Sequence, residues 1–242
     1  MAKNTSTNPP APKNPKGYSG QSKLETFVVR NQKRILQIVG GLAALAALAW
    51  GYYYFIHAPK EIKASEELAY AQQAIASDSA NLALIGNAMQ MGLLDIIEEY
   101  PYTDASNLAE YYTGIAYLEL GQPEDAIAHL EEFSSDDGVL SSLALGLIGD
   151  AFMDLNQPKD AEDYYSQAAE DQPNNFLTPY FLKKAATAAE IREDYQTALS
   201  YYKQIKTTYG TSMQAEDVDA LISYCEAKRN NQQDVERTAR IH

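Results

Sequence analysis

Active sites and metal centres are built mostly from histidine, cysteine and paired carboxylates, and this chain of 242 residues places few of them usefully. Its three histidines, His57, His129 and His242, have no Cys, His or carboxylate at the spacing that a metal ion needs. The single cysteine, Cys225, cannot close an intramolecular disulfide and reads as a small core residue. It also lies far from the N-terminus, so no lipid-attachment cysteine is offered there, which argues against an outer-membrane lipoprotein. Ser134, Ser135, Asp136 and Asp137 look reactive as a group, but they fall between two repeated segments, where helix ends require such caps. The acidic pairs Glu98–Glu99, Glu131–Glu132 and Asp136–Asp137 are adjacent in sequence, so they read as solvated surface rather than as an acid and its base. Gly40-Gly41 lies inside an apolar run and is no phosphate loop. The expectation is a protein without catalytic residues, metal or cofactor: not an enzyme.

What does recur with a fixed spacing is a set of small and aromatic residues. Residues 107–141 contain YYTGIAYLELGQPEDAIAHLEEF, and residues 142–176 answer with GLIGDAFMDLNQPKDAEDYYSQA. Gly114 pairs with Gly149, Ala116 with Ala151, Tyr117 with Phe152, Pro123 with Pro158 and Ala126 with Ala161, each 35 positions apart. Gly and Ala let two helices approach backbone to backbone, and the aromatic pair fills the gap beside them. This is the tetratricopeptide pattern. A third copy, AATAAEIREDYQTALSYYKQI, sets Ala186, Ala198 and Tyr202 in matching places at a spacing of 37, with two extra residues near Phe176–Pro179. Between the helices of each pair, Gly121 and Asn156 tolerate left-handed geometry, and Pro123 and Pro158 enter the first turn of the next helix.

The apolar run Ile35–Ile56 has 22 residues without a charge, enough for one bilayer crossing, with Trp50 and Tyr52–Tyr54 at its far end. It is too long, and starts too late, for a cleaved signal peptide. Residues 1–34 carry seven Lys or Arg against one acid; the remainder carries twelve against thirty-two. Basic residues stay cytoplasmic, so the acidic part is expected on the far side of the membrane. That acidity also excludes nucleic acid as a partner. Gly40, Ala44, Ala47 and Gly51 put small residues on one face of the membrane helix, where another helix could pack.

The fold expected is therefore all-α: a single N-terminal transmembrane helix, then a tetratricopeptide-repeat helical solenoid with a C-terminal capping helix. The divisions are a basic cytoplasmic tail over 1–34, disordered across Met1–Ser22, and the membrane helix over 35–56. A linker helix and a degenerate first pair follow over 57–106, with a loop at Asp78–Asn87. Repeats occupy 107–141, 142–178 and 179–212. The cap covers 213–228 with a stripe of Met213, Val218, Leu221, Ile222 and Cys225, and a flexible tail covers 229–242. The first helix of each pair should line a concave groove. Its members are Leu108, Tyr111, Ile115 and Leu118 in the first copy, then Leu143, Asp150 and Met153 in the second. The third contributes Tyr180, Lys183, Thr187 and Glu190. Such a groove suits a peptide strand or an amphipathic helix, unless the chain's own ends close it.

A basic tail, one N-terminal span and an acidic tetratricopeptide domain resemble the YfgM-like family, ancillary subunits of the bacterial SecYEG translocon. The likeness is best in GLLDIIEEY (92–100), NLAEYYTGIAYLELG (107–121), AIAHLEEFSSDD (126–137) and GLIGDAF (146–152). The resemblance implies a non-enzymatic protein of the bacterial inner membrane with its N-terminus cytoplasmic. Its periplasmic domain would join the SecYEG translocon to a PpiD-like periplasmic chaperone during export. Two other readings stand beside it. A mitochondrial import receptor shares the architecture but faces the cytosol, against the charge asymmetry here. A scaffold of another cell-envelope assembly or secretion machine remains the alternative.

Overall fold

In a computed structural model of the chain, residues 23–77 and 79–239 are described, with side chains from Arg30 onward. The tail expected at Met1–Ser22 and the terminal His242 lie outside them. Among the described residues the structure is helical and holds no strand beyond one isolated bridge, Asn87 to Gln90. The chain divides between Ile56 and His57 into two units.

The first unit is α1 (Lys23–Tyr52) and the start of a π-helical turn (Tyr53–His57). Helix starts earlier than the expected boundary at Ile35, because neither proline nor glycine interrupts the chain between Lys23 and Gly40. Leu36, Leu42, Leu45, Leu48 and Trp50 are all exposed, so the apolar surface of α1 is not the core of a soluble fold. This one helix is long and apolar enough to cross a membrane. Trp50 stacks on Tyr54 at 5.6 Å, forming an aromatic group near the end of the apolar run. The widened turn at Tyr53–His57 falls just before Pro59, which has no N–H to continue a regular ladder.

The second unit runs from α2 (Ala58–Ile75) through α3 (Ala80–Ile85), α4 (Leu93–Glu99), α5 (Asp104–Glu119), α6 (Pro123–Glu132) and α7 (Gly138–Asp154). It continues with α8 (Pro158–Asp171), α9 (Leu177–Ile191), α10 (Tyr195–Thr208), a 3-10 turn (Met213–Ala215) and α11 (Val218–Ala239). From α5 on, each helix packs against the next, and α7 also touches both α5 and α9. This nearest-neighbour order is that of a helix-pair solenoid. The linker helix is tied into it: the Glu61 carboxylate accepts the backbone N–H groups of Asp104 at 2.8 Å and Ala105 at 3.0 Å, capping α5 from another helix.

Three expectations need correction. Residues 80–85 form a helix where a loop was expected, because Ala80, Ala83 and Leu84 are buried together on one side of it. In the cap stripe, Val218 and Cys225 are buried and Leu221 and Ile222 pack on the core, but Met213 is 74 % exposed. It sits in the 3-10 turn, out of phase with α11. The tail expected to be flexible from 229 is helical as far as Ala239, since α11 continues without glycine or proline. Its extension is held where Arg229 Nη1 donates to Gln196 Oε1 at 3.2 Å and Gln232 Nε2 donates to the Glu193 carbonyl at 3.1 Å.

The crossing glycines are as close to their partners as the period implies. A methyl group on Gly149 would lie 2.6 Å from the Tyr165 ring, and one on Gly114 would lie 2.4 Å from Leu130 Cγ. The ring at Gly149 is the less forgiving neighbour, because its hydroxyl is fixed by a hydrogen bond to Asp150 at 2.5 Å. Gly149→Leu is expected to cost about 1–3 kcal/mol, although leucine is the better helix former. Thermal melts of the protein measure this, and an unchanged or raised midpoint would show that the register is wrong.

Cys225 lies fully buried against α10, and burial, then the neighbouring Glu190, pushes its thiol up to about 12. Because the folded value exceeds the ordinary 9.0, the native state holds this proton more tightly. The associated stability is complete below pH 9 and declines as pH rises from there towards 12. A thiol reagent at pH 8 should therefore modify Cys225 only on unfolding; rapid modification of the native protein would contradict the burial.

Candidate interaction face

Tyr117, Gly121 and Gln122 illustrate how the first helix of each pair is stopped and aimed. Gln122 N donates to the Tyr117 carbonyl at 2.9 Å and Gly121 N to Leu118 at 3.0 Å, with Gly121 at φ +68. The same pair of bonds recurs at Gln157 to Phe152 and Asn156 to Met153, with Asn156 at φ +54, and at Asp194 to Ala189 and Glu193 to Glu190, with Glu193 at φ +61. These are three Schellman caps in register. Glycine and asparagine announce two of them; the glutamate carries no turn signal. Pro123 and Pro158 then open α6 and α8, while in the third copy Asp194 caps α10 through Thr197 N.

The face that α5, α7 and α9 would present is partly consumed by internal contacts. Tyr111 is buried and tilts against Phe133 at 5.2 Å, so it belongs to the core between α5 and α7 rather than to a groove. Leu108 and Ile115 pack on the same cluster from its edge, and Leu143 and Met153 pack on the C-terminal core. Asp150 accepts both the Tyr165 hydroxyl at 2.5 Å and Lys184 Nζ at 2.6 Å. Burial, then that hydrogen bond, raises the Tyr165 phenol above its ordinary value. Burial would lower Lys184, but the bond to Asp150 carries it above the ordinary lysine value. Glu190 accepts the Tyr202 hydroxyl at 2.5 Å in the same manner one pair later. Lys183 reaches Asp217 at 2.7 Å, in the segment before α11. Asp150, Glu190 and Lys183 are thus structural ties between helices.

Leu118, half-buried, and Tyr180 and Thr187, exposed, are the members that remain open. Ile191 and Met213, exposed near the same C-terminal helices, were not singled out by repeat position. His129 also acquires a partner invisible to sequence spacing: its Nδ1 lies 2.6 Å from Glu110 Oε2, and its ring stacks on Tyr117 at 5.4 Å. Two groups pin α6 to α5 but do not make a metal centre. Among the described residues no group of three His, Cys, Asp or Glu could hold a metal ion. The small residues of α1 belong to the first unit: Gly40, Ala44 and Ala47 are exposed, and a methyl on Gly40 or Gly51 would meet nothing within 4 Å.

Residues 111–176 and again 147–212 match the family model described as tetratricopeptide repeat. The chain carries tetratricopeptide repeats. No curated protein and no solved structure matches it. The matched residues run from within α5 to beyond the end of α10, and tetratricopeptide arrays typically serve as scaffolds for protein–protein interaction. The tetratricopeptide region and the apolar helix α1 together describe an interaction module with one possible membrane span.

Proposed function

We propose that this protein is a membrane-anchored adaptor of the bacterial inner membrane, held by α1 with its N-terminus cytoplasmic and its repeat domain periplasmic. The observation that carries the reading is the pairing of an unburied apolar helix with an acidic tetratricopeptide array on the same chain. The charge asymmetry across the apolar run supports the orientation. By its resemblance to the YfgM-like family, the adaptor is an ancillary subunit of the SecYEG translocon that links it to a PpiD-like chaperone. The open residues Leu118, Tyr180 and Thr187, with the half-buried Leu108, Ile115, Leu143 and Met153 of the same helices, form the contact face for a partner segment. The stripe Gly40, Ala44, Ala47 and Gly51 offers a second contact inside the membrane.

Copurification from detergent-solubilised membranes tests this. Recovery of SecY and a prolyl-isomerase-type chaperone supports the translocon reading; recovery of components of another envelope machine favours the scaffold alternative. Ala44→Leu with Ala47→Leu is expected to weaken recovery of the membrane partner without reducing insertion. Full recovery after exchanging the whole span for an unrelated anchor would assign all binding to the repeat domain.

A further inference from the structure

Between Ala64 and Pro158 the sequence holds seventeen acidic residues and neither lysine nor arginine. Among the described residues, every ion pair made by a lysine or arginine draws its cation from Lys159 onward. From Ala64 to Pro158 the array therefore carries acid with no lysine or arginine in the same stretch; Lys60 and Lys63, in the first two turns of α2, precede it.

That stretch also displays an ordered apolar protrusion. The loop after α3 is closed at its neck by two glycines: a methyl on Gly86, at φ +65, would lie 2.4 Å from the Gly92 nitrogen. Within the loop, Asn87 N donates to the Gln90 carbonyl at 2.9 Å, Asn87 Nδ2 donates to Gln90 Oε1 at 3.1 Å, and Asn87 Oδ1 accepts Met89 N at 2.8 Å. A turn fastened this fully nevertheless presents Met89 at 91 % exposure, beside Ile85 at 68 % and Leu82 at 44 % on α3. A cavity of about 210 Å³ runs between Leu82, Met91 and the exposed Tyr70 of α2. A second cavity shares Ser79 and Leu82 with it and reaches Glu119. Glu66 lies one turn before Tyr70 on the same exposed stripe of α2, and Glu67 accepts Met91 N at 3.1 Å. Exposed apolar side chains on an ordered loop and helix, with carboxylates nearby, suit a ligand that is apolar along one face and basic along its edges.

We propose that Leu82, Ile85 and Met89, with Tyr70, form a docking site for a cationic amphipathic helix of a partner protein. Its apolar side chains seat on the protrusion, and its Lys or Arg residues pair with Glu66 and Glu119. The site rests on the interaction reading above, but its apolar residues come from α2, α3 and the loop after α3 rather than from the face of α5, α7 and α9. The acid disfavours an anionic lipid surface as the occupant.

The test uses the full chain in zwitterionic nanodiscs, with a benzophenone attached at Met89→Cys; Cys225 is buried and stays unlabelled. The probe is an amphipathic helical peptide of leucine and lysine, compared with its twin of leucine and glutamate. The lysine peptide should crosslink at position 89 and bind less tightly as salt is added. Its affinity should fall about tenfold or more in Ile85→Ser/Met89→Ser, whose exposed positions leave the melting curve unchanged, and should be unaffected by Phe176→Ser. Equal binding of the glutamate peptide, full affinity in the double variant, or no binding of the lysine peptide would each overturn the site. Loss of binding in Tyr180→Ala alone would also overturn it, while leaving the interaction reading, which copurification judges independently, in place.

Discussion

Phe181→Ala is expected to remove about 3–5 kcal/mol from the stability of the repeat domain. Phe181 is 2 % exposed on α9, and its ring occupies the space that a side chain at position 146 would otherwise take: a methyl on Gly146 would lie 2.1 Å from Cε1. Removing the ring leaves a gap that Gly146, with no side chain, cannot fill. The alanines of α9 in the same buried cluster, Ala185, Ala186, Ala188 and Ala189, are already at full burial and have no rotamers with which to collapse. The double variant Gly146→Leu/Phe181→Ala returns volume from the facing helix and should recover part of the loss, whereas Gly146→Leu alone overpacks the same contact. Urea melts at constant slope measure the three differences. A loss below about 1 kcal/mol for Phe181→Ala would mean that α7 and α9 are not held by this contact.

Deleting residues 1–56 is expected to move the protein from the carbonate-resistant membrane fraction to the soluble fraction. Leucine, isoleucine, valine and phenylalanine each favour insertion by about 0.3–0.6 kcal/mol at the centre of a span, while a single Lys or Asp there costs about 2.5–3.5. Ile35–Ile56 contains no charge to set against its apolar residues, so the balance is strongly towards the bilayer. Lys33 and Arg34 adjoin the run on the tail side, and the acidic repeat domain follows it. Protease added to spheroplasts should therefore digest residues 58–242 of the full chain and leave a membrane-held fragment that keeps its N-terminal tail. Survival of the domain in intact spheroplasts would reverse the orientation, and release of the full chain by carbonate would overturn the anchor itself.

The sequence by itself determined the features whose physics is local. A 35-residue period of small residues requires two helices to meet at Gly114 and Gly149, whatever lies around them. Gly121 and Asn156 stop α5 and α7 because they reach left-handed geometry at low cost, and the length of the uncharged run shows that α1 could span a membrane. The third cap, at Glu193, is not legible in the sequence, because a glutamate at positive φ is imposed by packing rather than favoured by its side chain. Helix formation at Ala80–Ile85 was hidden for a related reason: a six-residue helix has little stability of its own and exists because Ala83 and Leu84 are buried against α2 and α5. The fate of the interaction face was likewise a tertiary matter. Repeat position assigns Tyr111, Asp150 and Glu190 to one side of their helices, but periodicity says only which way a side chain leaves the backbone. Whether it then meets solvent or a neighbour depends on what the next helix carries. Tyr165 and Tyr202 reach across to Asp150 and Glu190, and Phe133 closes over Tyr111. The glycine-necked loop that presents Met89 joins α3 to α4, and the close approach of Gly86 to Gly92 at its neck is visible only in the fold.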